Sequence, residues 1–144
     1  MGFSIDCKQS IIIGTKFAIL LDMDIELVSI QNPGLDNEYA LIRVRRDCNL
    51  NKFLVYDTTY DDEGRVSNKL PHMFRLPDYH VQAMRTPMIR LYTCRSYYIQ
   101  EWEDPDHVNN LILSWRLNET IWNKEGDKAT LVEICDESDL IFHQ

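Results

Sequence analysis

His72, Asp78 and His80 fall within nine residues of a proline-flanked stretch, and two imidazoles with a carboxylate could ligate a metal or share general acid and base work. No third ligand motif is spaced to join them, so histidines at a surface or strand edge are the better reading. Glu101-Trp102-Glu103-Asp104-Pro105-Asp106-His107 gathers four carboxylates and an imidazole, and Asp57, Asp61, Asp62 and Glu63 form a second acidic group. Oxygen-rich loops of this kind can hold calcium. The first lacks the Asp-x-Asp-x-Asp-Gly order of an EF-hand, and an acidic chain clusters carboxylates by composition alone, so both are expected to be solvated loops. No Gly-x-Ser-x-Gly elbow occurs, and the five glycines form no phosphate-cradling loop. No catalytic residue, metal ligand or cofactor is assigned, and the chain is expected not to be an enzyme. The alternative is a metal-dependent or carbohydrate-active enzyme using the acidic loops with His72 or His80.

Charge narrows the partners. Fifteen Lys and Arg against 23 Asp and Glu leave a net charge of −8, a field that repels phosphate polyanions and anionic lipid. Nucleic acid is therefore not expected as a partner. The basic residues Arg43, Arg45 and Arg46 alternate along a strand-like run and read as a solvated face. The cysteines at 7, 48, 94 and 135 form no C-x-x-C pair. A domain of this size and apolar content needs no staple, so reduced thiols are expected. Ile11 to Leu21 is apolar, but Lys16 interrupts it and no A-x-A-like cleavage site follows. No apolar run reaches the roughly 18 residues needed to span a bilayer. A cytoplasmic location without membrane attachment is the corresponding expectation.

The elements that must position these residues follow from periodicity. At 144 residues the chain has the length of one domain able to bury roughly two-thirds of its unfolded surface. From Met23 the apolar period is two: Ile25, Leu27 and Ser29 alternate with Glu26, Val28 and Ile30, and Ala40, Ile42 and Val44 alternate with Leu41, Arg43 and Arg45. Asn32-Pro33-Gly34-Leu35-Asp36-Asn37 between them is a turn by residue type. Further strands are read at Phe53 to Tyr60, His72 to Leu76, Met88 to Cys94, Leu111 to Leu117 and Lys128 to Cys135, with Leu140 to His143 as an added edge. Only Ser10 to Leu21 and Asp104 to Asn110 could be helical, the second with Asp104 as N-cap and Pro105 at the first helical position. Many short strands without βαβ alternation predict an all-β sandwich or barrel. Ile25, Ile42, Phe53, Leu91, Trp115, Trp122 and Leu131 are its expected core.

The run Ile121-Trp122-Asn123-Lys124-Glu125-Gly126-Asp127-Lys128-Ala129-Thr130-Leu131 resembles the C-terminal signature of lamin-tail domains, in which Trp-Asn and Gly-Asp precede a strand of alternating apolar residues. Asn37-Glu38-Tyr39-Ala40-Leu41-Ile42 is similar to the second-strand motif of that family. His72-Met73-Phe74-Arg75-Leu76-Pro77 and Met88-Ile89-Arg90-Leu91-Tyr92-Thr93 resemble its short aromatic strand and the strand after it. Met84-Arg85-Thr86-Pro87 stands where the family usually has a glycine turn, and Phe53 is the aromatic nearest its usual third-strand Gly-Trp. The resemblance implies an immunoglobulin-like antiparallel β-sandwich of seven or eight strands over residues 24–144, of bacterial type, with residues 1–23 as an N-terminal extension. It also implies a non-catalytic binding or tethering module.

The partner surface is sought among aromatics. Tyr92, Tyr97, Tyr98, Trp102 and Trp115 fall in or beside one connection far longer than the usual two to six residues, and long loops on sandwiches often carry function. Tyrosine and tryptophan are enriched in interface hot spots, which makes Tyr97, Tyr98 and Trp102 the expected contacts with a protein partner. The same residues could instead cover the open end of the sandwich. Self-association through an exposed strand edge is the other expected mode.

Overall fold

In the computed structural model, residues 11–13, 16–18, 22–58, 63, 65, 72–94, 99–103, 109–123 and 126–140 are described, with only the backbone for 11–13, 16–18, 58, 99–103 and 109. The strands are β1 (Ile11–Ile13), β2 (Lys16–Ala18), β3 (Ile25–Gln31), β4 (Tyr39–Val44), β5 (Cys48–Asn49), β6 (Phe53–Thr58), β7 (Met73–Arg75), β8 (His80–Val81), β9 (Met88–Tyr92), β10 (Ile99–Glu103), β11 (Asn109–Ser114) and β12 (Lys128–Glu133). A 3-10 turn at Leu50–Lys52 joins β5 to β6; its cap is Asn49, whose side chain accepts the Asn51 N–H at 3.0 Å.

These strands form the expected all-β sandwich. One sheet runs β10-β11-β9-β4-β3 and the other β12-β6-β7, while β1-β2 and β5-β8 are separate two-stranded ladders. Period-two alternation decides what lies between the sheets: Ile25, Ala40, Ile42, Val44, Ile89, Leu91, Leu111 and Leu113 from the first meet Phe53, Val55 and Phe74 from the second. Trp122 is buried with them, and Trp115 and Leu131 pack against the cluster from its margin. All seven residues expected in the core are in it or on it.

The β3–β4 connection follows from residue type. Pro33 and Gly34 are the central residues of a type II turn closed by Leu35 N–H to Asn32 O at 3.1 Å, and Gly34 has the positive φ of +77° that this turn requires. β3 then runs antiparallel to β4 with a bulge between Leu27 and Ser29.

Three expectations are corrected. Ser10 to Leu21 is not helical where it is described; its β-branched isoleucines form β1, which pairs antiparallel with β2. The long connection after β9 contains a strand, β10, lying at the sheet edge outside β11. Because β10 reverses the chain and β11 then inserts between β9 and β10, β11 runs parallel to β9, so one ladder of the otherwise antiparallel sheet is parallel. Leu140, expected in a last edge strand, is in no strand and is fully exposed, and residues 141–144 lie outside the described residues. Among the described residues no helix is long and apolar enough to cross a membrane.

Candidate binding surfaces and the polar knots behind them

Glu38, which follows the type II turn and stands just before β4, gathers bonds from three parts of the chain. It is fully buried. Its Oε2 accepts the Gly34 N–H at 2.7 Å, and its Oε1 accepts the Thr93 hydroxyl at 3.1 Å, the Ile121 N–H at 3.0 Å and the Trp122 N–H at 3.4 Å. Its backbone carbonyl takes the Thr93 N–H as well. Burying a carboxylate is costly unless hydrogen bonds replace its water, and here four donors do so. Three distant segments, the β3–β4 turn, the end of β9 and the Ile121–Trp122 entry to β12, are tied at one side chain. Sequence reasoning picked out Asn37–Glu38 and Ile121–Trp122 as motifs but did not see that they touch. Trp122, carried inward by this knot, stands edge-on to Trp115 with ring centres 6.0 Å apart. Among the described residues its Nε1 has no hydrogen-bond partner.

The histidine constellation does not assemble. His72 sits with Asp57, not with Asp78 or His80: the His72 N–H donates to Asp57 Oδ1 at 2.6 Å, and His72 Nδ1 lies 3.5 Å from Asp57 Oδ2. Glu119 approaches the other ring nitrogen at 3.9 Å. Asp57 was expected in a solvated acidic loop; instead it is buried at the end of β6. Asp78 accepts the Asn49 side-chain amide at 2.7 Å, and His80 is exposed on β8. Glu101 and Glu103, also expected in a loop, belong to β10. Asp61, Asp62, Asp104 and Asp106 lie outside the described residues. Among the described residues no three His, Cys, Asp or Glu side chains converge as metal ligands.

The basic run is mostly engaged. Arg43 faces its cross-strand partner Glu26 at 3.5 Å and Arg45 is exposed. Arg46 donates to Asp24 Oδ1 at 2.8 Å and Asp22 Oδ1 at 2.6 Å, which raises its pKa further, and Lys52 donates to Asp24 Oδ2 at 2.8 Å with Glu133 at 3.5 Å. Burial opposes the Lys52 charge, but the bonds and charges of Asp24 and Glu133 outweigh it and hold its pKa above the ordinary value. These bonds fix the point where the chain enters β3 beside the far end of β12.

The cysteines differ from one another. Cys48 is buried and free, and burial followed by the nearby Asp24 charge pushes its thiol up to about 11. Cys94 is free and half-buried. Cys135, expected as a reduced packing residue inside a strand, instead lies exposed two residues past β12 and is disulfide-bonded, its partner outside the described residues.

Two surfaces stand out among the described residues. Of the five aromatic residues around the long connection, Tyr92 is buried at the end of β9 against Tyr39, with ring centres 4.9 Å apart, and Trp115 packs on Phe74 at 5.6 Å, so neither belongs to an exposed aromatic loop. Tyr97 and Tyr98 lie outside the described residues. Trp102 is in β10, in register with Asn110 of β11, on the outermost strand of the larger sheet. The second surface is the side of the sandwich where β3 and β12, outer strands of different sheets, face each other. There Met23, Leu27, Ala129 and Leu131 floor a groove of about 380 Å³ rimmed by Glu26, Arg45 and Lys128.

The fold defines a two-sheet β-sandwich whose outermost strands each have one ladder neighbour among the described residues. No family model matches the chain, and no curated protein and no solved structure matches it either.

Proposed function

We propose that the chain is a non-catalytic interaction module, similar in its motifs to lamin-tail domains, that binds a protein strand along the edge formed by β10. The observation that supports this reading is the place of Trp102: the aromatic, acidic segment is an outermost strand, with β11 on one side and no ladder on the other among the described residues. An outer strand offers a row of backbone donors and acceptors to an incoming strand, and neighbouring side chains then set which strand is accepted. Tyr97, Tyr98 and Trp102 are the residues assigned to contact. The partner strand comes from another protein or from a second copy of the chain.

The test is capture from the source lysate with the tagged chain and with a Tyr97→Ala, Tyr98→Ala, Trp102→Ala variant whose fold is checked by its melting transition. A stoichiometric partner or self-copy held by the parent and lost by the folded variant is expected. Equal capture by both, or none by either, overturns the reading.

A further inference from the structure

Strand alternation in β8 turns His80 outward and Val81 into the core. The chain bends straight after it: the Gln82 carbonyl accepts the N–H of Arg85 at 3.1 Å and that of Thr86 at 2.8 Å, which brings residues 85 and 86 back toward Gln82. Other parts of the fold hold these walls. β8 pairs with β5 through Cys48–Val81 and Asn49–His80, the Tyr79 carbonyl accepts the Leu50 N–H at 2.9 Å, and Asp47 Oδ1 accepts the Ala83 N–H at 2.9 Å. Between the walls lies a recess of about 280 Å³, lined by Tyr79, His80, Gln82, Arg85 and Thr86. No carboxylate lines it, in a chain with 23 Asp and Glu against 15 Lys and Arg. Asp47 and Asp78, the acids bonded to these walls, are engaged by Ala83 and by the Asn49 side-chain amide.

Among the described residues the side chains of His80, Gln82, Arg85 and Thr86 have no hydrogen-bond or ion-pair partner. The first three are exposed to solvent. Thr86 is not: only 6% of it is accessible. Its hydroxyl keeps access to the recess, since the one sealed polar side-chain atom without a partner among the described residues is Trp122 Nε1. A hydroxyl on a buried residue ordinarily has an acceptor, and here the protein supplies none. We propose that this recess binds the phosphoryl group of a phosphate monoester. The Arg85 guanidinium matches two phosphoryl oxygens as a fork, His80 offers an N–H in either protonation state, and the Gln82 amide and Thr86 hydroxyl are neutral donors. A phosphoryl group presents three oxygens to donors arriving from β8 and from the turn, whereas a carboxylate presents two in one plane. The net charge of −8 disfavours long polyanions, but it is screened over about 8 Å at physiological salt, so a single phosphoryl group meets chiefly Arg85.

The probe is inorganic phosphate, titrated into the full chain at constant ionic strength and followed by the amide resonances. Saturable shifts confined to residues 79–86 and the adjoining β5 are expected, with acetate leaving them in place. Arg85→Gln is expected to weaken phosphate binding about tenfold or more, since it removes a charge-assisted pair. Thr86→Val removes a hydroxyl that makes no internal bond, so it is expected to weaken binding severalfold while the melting transition stays unchanged, which separates the site from the fold. Methyl phosphate and a blocked phosphoserine are then expected to displace phosphate, and whichever does so at lower concentration names a small ester or a phosphorylated protein as the source. No saturable shift, shifts centred elsewhere, acetate bound as tightly as phosphate, either variant binding like the parent, or displacement by neither ester overturns the proposal.

Discussion

Replacing Glu38 by Gln keeps the size of the side chain and one acceptor oxygen but turns the other oxygen into an NH2 donor. If the amide oxygen stays where Oε1 was, it retains Thr93, Ile121 and Trp122, and the new NH2 faces the Gly34 N–H that now sits 2.7 Å from Oε2. The Gly34 N–H, at an exposed turn, then loses its acceptor on Glu38, and the remaining bonds lose the strength of a charged acceptor. Hydrogen bonds to a charged group contribute about 1.5–3 kcal/mol, so the expected loss for Glu38→Gln is about 2–3 kcal/mol. Glu38→Ala strips all four donors and opens a cavity, and about 4–5 kcal/mol is expected, a large part of the ~5–15 kcal/mol that a domain has in total. The assay is urea unfolding followed by tryptophan fluorescence, because Trp122 is carried by the knot. The midpoint should fall with an unchanged slope, and amide exchange at Ile121 and Trp122 should rise before that of β4. A Glu38→Gln protein within about 0.5 kcal/mol of the parent would refute the reasoning, since surface substitutions ordinarily fall in that range.

Other consequences are as direct. The Cys48 thiol, pushed up to about 11 from 9.0, holds its proton more tightly folded than unfolded; its contribution is complete below about pH 9 and is lost as pH rises towards 11. The parent should therefore lose on the order of 2 kcal/mol more stability between pH 9 and 11 than Cys48→Ala in paired urea titrations. Equal losses would show that the thiol is not the group responsible. The Glu137 carboxyl is held below its ordinary value by its two bonds to Arg75 at 2.7 and 3.0 Å, so its contribution is present above about pH 4.5 and lost as pH falls through the lowered value. Amides of residues 134–138 should therefore lose protection in acid in the parent, whereas Glu137→Gln should start less protected at neutral pH and show no such acid-dependent loss. Gly34→Ala should cost about 1 kcal/mol by thermal melting through its positive φ alone, because the added carbon would meet Asn123 at an ordinary 3.5 Å. A neutral result would mean that the turn is not type II in solution.

Much of the fold was legible because alternation is strict where one strand face is buried. Ile25, Ile42 and Leu91 are inward on strands whose neighbours face outward, and Pro33-Gly34 specified its turn by chemistry alone. β10 was not legible: Ile99-Gln100-Glu101-Trp102-Glu103 carries no period of two, and an edge strand with one neighbour needs none. The parallel β9/β11 ladder was hidden with it, since only the presence of β10 forces it. Asp57 carried a readable signal that was passed over, for it shares its parity with Phe53 and Val55, both fully buried. Glu38 had only the Asn37–Glu38 motif to mark it, because the donors that keep it buried come from residues 34, 93, 121 and 122. His72 was paired in the sequence with its neighbours Asp78 and His80, whereas the fold pairs it with Asp57 across the β6–β7 ladder, fifteen residues away. Cys135 was read as strand interior, but β12 ends at Glu133.

Amide exchange on the captured complex measures the β10 edge itself. With the partner bound, the amides of residues 99–103 should slow while those of β7 and of Glu137 stay as in the free chain, and the Tyr97, Tyr98 and Trp102 triple variant should show no slowing at the same concentrations. Protection that appears elsewhere and leaves residues 99–103 unchanged would contradict the claim that this strand is the binding surface.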